Sequence, residues 1–74
     1  MDLNEMSRGE QEKNINRYFS DVRESMSRLD YISFLEIMYI AFRTNMRNIT
    51  DLRIAMRCYN ERGRILEEMK HEND

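Results

Sequence analysis

Proline is missing from this chain, and glycine occurs only at Gly9 and Gly63. Proteins built from strands and tight turns place such residues at their corners, so their scarcity argues for helices joined by short connections. Cysteine and histidine are just as scarce, with one of each at Cys58 and His71. One cysteine closes no internal disulfide, and one cysteine with one histidine builds no Cys/His zinc set. Long hydrophobic runs are lacking too. The most apolar stretch, "YISFLEIMYIAF", is interrupted by Ser33 and Glu36 and falls well short of the roughly 18 to 20 apolar residues that cross a bilayer. The start, "MDLNEMSRGEQEKN", is polar and holds no signal-peptide core. With a single unpaired cysteine, the expectation is a cytoplasmic protein in a reducing compartment.

A chain of 74 residues makes one domain and buries only about 60% of the surface its unfolded form exposes. The residues at 1–7 and 70–74 are expected to fray. With disulfides and metals closed off, a short chain gains stability from helix packing or from association. Alanine is also rare, at Ala41 and Ala55, so packing of apolar faces must hold helices that propensity alone supports weakly.

Three helices emerge from the periodicity. In the first, Ile15, Tyr18, Phe19, Val22, Met26 and Leu29 fall at spacings of three and four and form a narrow seam. "SRGE" at 7–10 has capping-box spacing, so Ser7 marks its start. The second begins near Asp30 or through Ser33 to Glu36. Its Tyr31, Leu35, Met38, Tyr39 and Phe42 share one side, Phe34, Ile37 and Ala41 widen it, and Ile40 sits nearly opposite. A helix apolar most of the way round is the central element. It ends in "RTNMRN". The third starts at Thr50 or Asp51, with a main seam of Leu52, Ala55, Met56, Tyr59 and Leu66 and a second shoulder of Ile54, Cys58, Ile65 and Met69. Gly63 invites a kink or break within it.

The net charge of -2 hides a segregation. Between 43 and 64 stand six arginines against Asp51 and Glu61, while the flanking segments are acidic. Arg53, Arg57 and Arg64 line up on one side of the third helix. Such a row suits phosphates, and a helix-turn-helix reading would use helix 3 as the reader. It equally suits a solvated or partner-facing surface, because Glu61, Glu67 and Glu68 lie within pairing distance along the helix. The acidic whole and the long connection "RTNMRNIT" without glycine place DNA binding second.

Chemistry finds little foothold. Cys58 has no base near it in the pattern and is read as a buried structural thiol. His71 with Glu67 and Glu68 is too weak a pattern for a metal. There is no Gly-rich phosphate loop, Ser/His/Asp set or isolated carboxylate pair. The expectation is therefore no enzyme, no cofactor, no metal, no small-molecule substrate and no membrane.

What stands out is surplus apolar surface. Three helices cannot cover Phe34, Ile37, Ile40, Ala41, Ile54, Cys58 and Ile65 together, and an uncovered patch marks a protein-binding surface. The seven methionines could make that surface adaptable. The sequence thus reads as an all-α, three-helix domain with antiparallel neighbours, completed by dimerisation. It would act as an adaptor or regulator by binding another protein or itself. Arg43, Arg47, Arg53, Arg57 and Arg64 form its charged rim, or its phosphate contacts if nucleic acid is the partner.

Overall fold

The computed structural model describes residues 7–72; the expectations for 1–6 and 73–74 lie outside them. The described chain is three α-helices: α1 (Arg8–Glu24), α2 (Arg28–Thr44) and α3 (Ile49–Glu72). No strand occurs among the described residues.

Each start has a local cause. Ser7 caps α1, its Oγ accepting from the Glu10 N–H at 3.3 Å. Ser27 does the same for α2, accepting from the Asp30 N–H at 3.2 Å. The second helix therefore begins at Arg28, two residues ahead of Asp30, which occupies its first turn, where a carboxylate suits the positive end of the helix dipole. Asn48 Oδ1 accepts from the Asp51 N–H at 3.0 Å, and Asp51 Oδ2 accepts from the Arg47 N–H at 2.9 Å. This reciprocal pair fixes the start of α3. The α2/α3 connection is only Asn45–Asn48, shorter than "RTNMRNIT" suggested, because Arg43 and Thr44 complete α2 and Ile49 already opens α3.

Helices α2 and α3 form an antiparallel hairpin packed closely along its length. Arg28 at the start of α2 pairs with Glu72 at the end of α3 at 2.7 Å. Moving inward, Glu36 pairs with Arg62 at 2.8 Å, and the Tyr39 and Tyr59 rings lie 5.8 Å apart. Each step up α2 is matched by a step down α3. The hydrogen bond from Arg28 holds the Glu72 carboxyl below its ordinary range. No kink marks Gly63, and α3 runs through it to Glu72.

The core holds Ile15 and Phe19 from α1, Tyr31, Ile32 and Leu35 from α2, and Cys58 and Ile65 from α3. Val22, Met26, Phe34, Met38, Tyr39, Ile54 and Met69 pack around it half-buried. The Tyr31 ring is fully buried, and its hydroxyl donates to the Phe19 carbonyl at 3.4 Å. Leu29, read as the end of the first seam, belongs to α2 and is exposed.

The inward face of α3 differs from the seam inferred above. Ala55, Cys58 and Ile65 are buried, whereas Met56, Tyr59 and Leu66 are exposed. The reason is Glu61. The buried row Ile54, Cys58, Glu61, Ile65 and Met69 keeps a steady helical spacing, but a carboxylate in its middle makes it look interrupted. No helix among the described residues is long and apolar enough to cross a membrane.

Candidate protein-binding face

The uncovered surface centres on α2. The core pulls Tyr31, Leu35, Met38 and Phe42 inward, and the positions opposite them on the wheel are Ile37, Ile40 and Ala41. Ile37 is 67% exposed and Ile40 61%, and Ala41 is exposed as well. Large aliphatic side chains at this exposure on the central helix have no role in the fold of the single chain.

The patch extends to both sides. Toward α1, Phe34 is half-buried, its ring stacked 6.1 Å from Tyr31 and 6.4 Å from the half-exposed Tyr18. Toward α3, Ile40 and Tyr39 line a shallow groove with Tyr59, closed at one end by the Glu36–Arg62 pair. Tyr59 is 59% exposed. A second groove of about 310 Å³, almost wholly apolar, runs between Ile15 and Tyr18 of α1, Met38 and Phe42 of α2, and Ile54 of α3. The face is thus continuous from Tyr18, around α2, to Tyr59.

Of the residues inferred to make up the patch, the structure brings Phe34, Ile37, Ile40 and Ala41 together. Ile54 contributes only to the floor of the second groove. Cys58 and Ile65 do not belong to the surface at all: both are fully buried in the core. They were placed outside because the α3 face was taken one side too far round. Burial pushes the Cys58 thiol up to about 11, the protonated, unreactive form at neutral pH.

The arginines separate into two groups. Arg53 donates to Gln11 Oε1 at 3.0 Å. Arg57 donates to Asn16 Oδ1 and lies over the Phe19 ring, 5.3 Å from its centroid. These two side chains bridge α3 to α1. Arg64 pairs with Glu61 at 2.5 Å, and its guanidinium is held more firmly charged by that carboxylate. Arg43 and Arg47 are exposed at the C-terminal end of α2, beside the apolar patch.

The sequence reading paired Arg57 with Glu61, as the structure does, but missed that Glu61 is buried and that Arg23 joins it from α1. Glu61 is only 5% exposed, and Arg23 of α1 (3.5 Å), Arg57 (3.7 Å) and Arg64 surround it. Arg23 also reaches Glu68 at 3.2 Å. Gln11 and Thr50 are buried polar residues of the same kind. No buried side-chain nitrogen or oxygen among the described residues lacks a hydrogen-bond partner. One signal was available: a lone acid at the helical spacing of Cys58 and Ile65 with arginines three and four residues away.

No group of His, Cys, Asp and Glu suited to a metal ion occurs among the described residues. His71 pairs with Glu67, at 3.2 Å, on the exposed end of α3. Compared with known proteins, the chain matches no family model, no curated protein and no solved structure.

Proposed function

We propose that this chain works by binding, as a small non-enzymatic adaptor or regulator that docks on another protein chain through the outward face of α2 and the groove between α2 and α3. One observation carries the reading: Ile37 and Ile40 stand largely exposed, side by side on the outward face of α2. Burying them against a partner is worth about 25 cal/mol for each Å² of apolar surface removed from water. Arg43 and Arg47 lie at the edge of this patch. There they orient an approaching partner and speed its arrival more than they add affinity.

Duplex DNA draws less support as the partner. Arg53 and Arg57 are engaged with Gln11, Asn16 and Glu61 across the α1/α3 seam. The two helices of a helix-turn-helix cross at about 90–120°, whereas α3 lies antiparallel along α2 from end to end.

The test is site-specific photo-crosslinking in cells. A benzophenone side chain at position 37 or 40 should give adducts of discrete mass, and the same group at the exposed Lys13 should give none. Absence of any adduct from 37 and 40 would remove the reading. A parallel titration with duplex DNA at low salt should show no binding; binding that weakens steeply as salt rises would restore the nucleic-acid alternative.

A further inference from the structure

We infer that the occupant of the outward α2 face is a second copy of this chain, packed antiparallel with the two-fold axis passing at Ile37. This rests on the reading of that face as a contact surface and names what covers it.

Outward on α2 are the exposed Ser33, Ile37, Ile40 and Ala41, with Asp30 and Thr44 ending the row and the half-buried Phe34 at its edge beside Tyr18. Counted from Ile37, these fall three, four and seven residues to either side. The row is therefore symmetric about Ile37 and has the seam spacing of helices that pack side by side. From Asp30 to Thr44 it runs roughly 21 Å at 1.5 Å per residue.

Size then decides the direction. At 100° per residue, Phe34 and Ala41 lie on one flank of Ile37, and Ser33 and Ile40 lie on the other. A two-fold across antiparallel helices keeps each flank on its own side while reversing its direction. Phe34 then sits beside the partner's Ala41, and Ile40 sits beside the partner's Ser33. Each bulky side chain meets a small one, the alternation that lets two helices interdigitate.

Charge agrees. Asp30 stands at the acidic N-terminal end of the row, and Arg43 and Arg47 stand at its C-terminal end, all exposed. An antiparallel pair brings the acidic end of each row alongside the partner's arginine-bearing end, twice over. Parallel packing would set acid against acid and arginine against arginine. The helix dipoles favour the same choice. One helix per copy, with Tyr18 and Tyr59 at the edges, gives an interface near the small end of the stable range, so association is expected at about micromolar concentration.

Sedimentation equilibrium of the purified chain comes first. The expected mass is twice the chain's 9.1 kDa, and Ile37→Asp should return it to the monomer with unchanged helicity. Direction is read by oxidation of cysteine variants at exposed positions, where the native Cys58 is too buried to interfere. Ser33→Cys mixed with Ile40→Cys should give a crosslinked heterodimer, while Ser33→Cys alone should give little. A monomer at every concentration overturns self-pairing, and so does an Ile37→Asp variant that stays dimeric. Rapid Ser33→Cys homodimers overturn the antiparallel arrangement. Photo-adducts from 37 and 40 only to other proteins, alongside a monomeric mass, would sink this inference and leave the protein-binding reading standing.

Discussion

Replacing Glu61 by glutamine keeps the shape of the side chain and removes its charge, so it isolates what the arginine cluster contributes. Removing one member of a fully buried ion pair costs about 3 to 5 kcal/mol, because the remaining charge is stranded away from water. An exposed pair is worth about 0 to 1 kcal/mol. This site lies between those limits. The Glu61 side chain is 5% exposed, but those of Arg23, Arg57 and Arg64 are 37%, 30% and 60% exposed and can hydrate once the carboxylate is gone. Glutamine also retains an oxygen that accepts one of the arginine donors. The expected loss for Glu61→Gln is therefore about 2 kcal/mol, with Arg64→Ala below about 0.5 kcal/mol, since its guanidinium is mostly in solvent.

The assay is urea denaturation followed by circular dichroism. Guanidinium chloride is itself a salt and would screen the interaction being measured. A double-mutant cycle between Arg23 and Glu61 isolates the link from α1 to α3, with a coupling of about 1 kcal/mol expected. A Glu61→Gln midpoint within error of wild type, with no Arg23–Glu61 coupling, would refute the reasoning. The cluster would then be no more than an exposed charge set.

Three other outcomes follow from local geometry. Gly63→Ala should stabilise the chain by about 1 kcal/mol, because α3 is continuous there and an added Cβ meets nothing within 4 Å. The thermal midpoint should rise by about 4 to 8 °C, and a fall would mean a break at this position. Ser27→Ala removes the cap of α2 and should cost about 1 kcal/mol in the same urea assay; no change would mean that water replaces the hydroxyl. Burial pushes Cys58 up to about 11 and the Tyr31 hydroxyl up to about 12, from ordinary values of 9.0 and 10.0. The unfolded chain thus loses these protons first. The corresponding stability is complete below about pH 9 and drains away as pH rises toward 12. Urea midpoints that stay flat from pH 8 to 11 would contradict that burial.

The helices were legible because their signals are local. Ser7 with Glu10 announced the start of α1, and the spacing of Ile15 and Phe19 announced its buried side. The exposed Ile37 and Ile40 followed from a wheel count on α2, since a helix can turn only one side to its core. The inward side of α3 was harder to see. Polar residues in the core are recognised by their partners, and those from α1 are distant in sequence: Arg23 is 38 residues from Glu61, and Gln11 is 42 from Arg53. Arg57 and Arg64 beside Glu61 are a local signal, but exposed helix faces carry the same spacings, so they do not by themselves put the carboxylate inside. Placing Glu61 outside rotated the α3 seam, and that rotation put Cys58 and Ile65 on the surface.

The same polar residues bear on why the apolar surplus lies where it does. The first helix meets α3 through long side chains, Arg53 to Gln11, Arg57 to Asn16 and Arg23 to Glu61, and offers the core only Ile15, Phe19 and Val22. A helix with so narrow a seam covers one side of the α2/α3 hairpin and no more. The second helix then has α1 on one flank and α3 on another, and the side that carries Ser33, Ile37, Ile40 and Ala41 faces outward. Leucine-sized side chains at Ile37 and Ile40 are an odd choice for water there, while Ser33, Ala41 and Thr44 beside them are small. Bulk at the middle of the row with small residues around it is the pattern of a surface shaped for another helix. On the proposed reading, association gives α2 the third neighbour that α1 cannot supply, and a marginal three-helix core becomes half of a six-helix one.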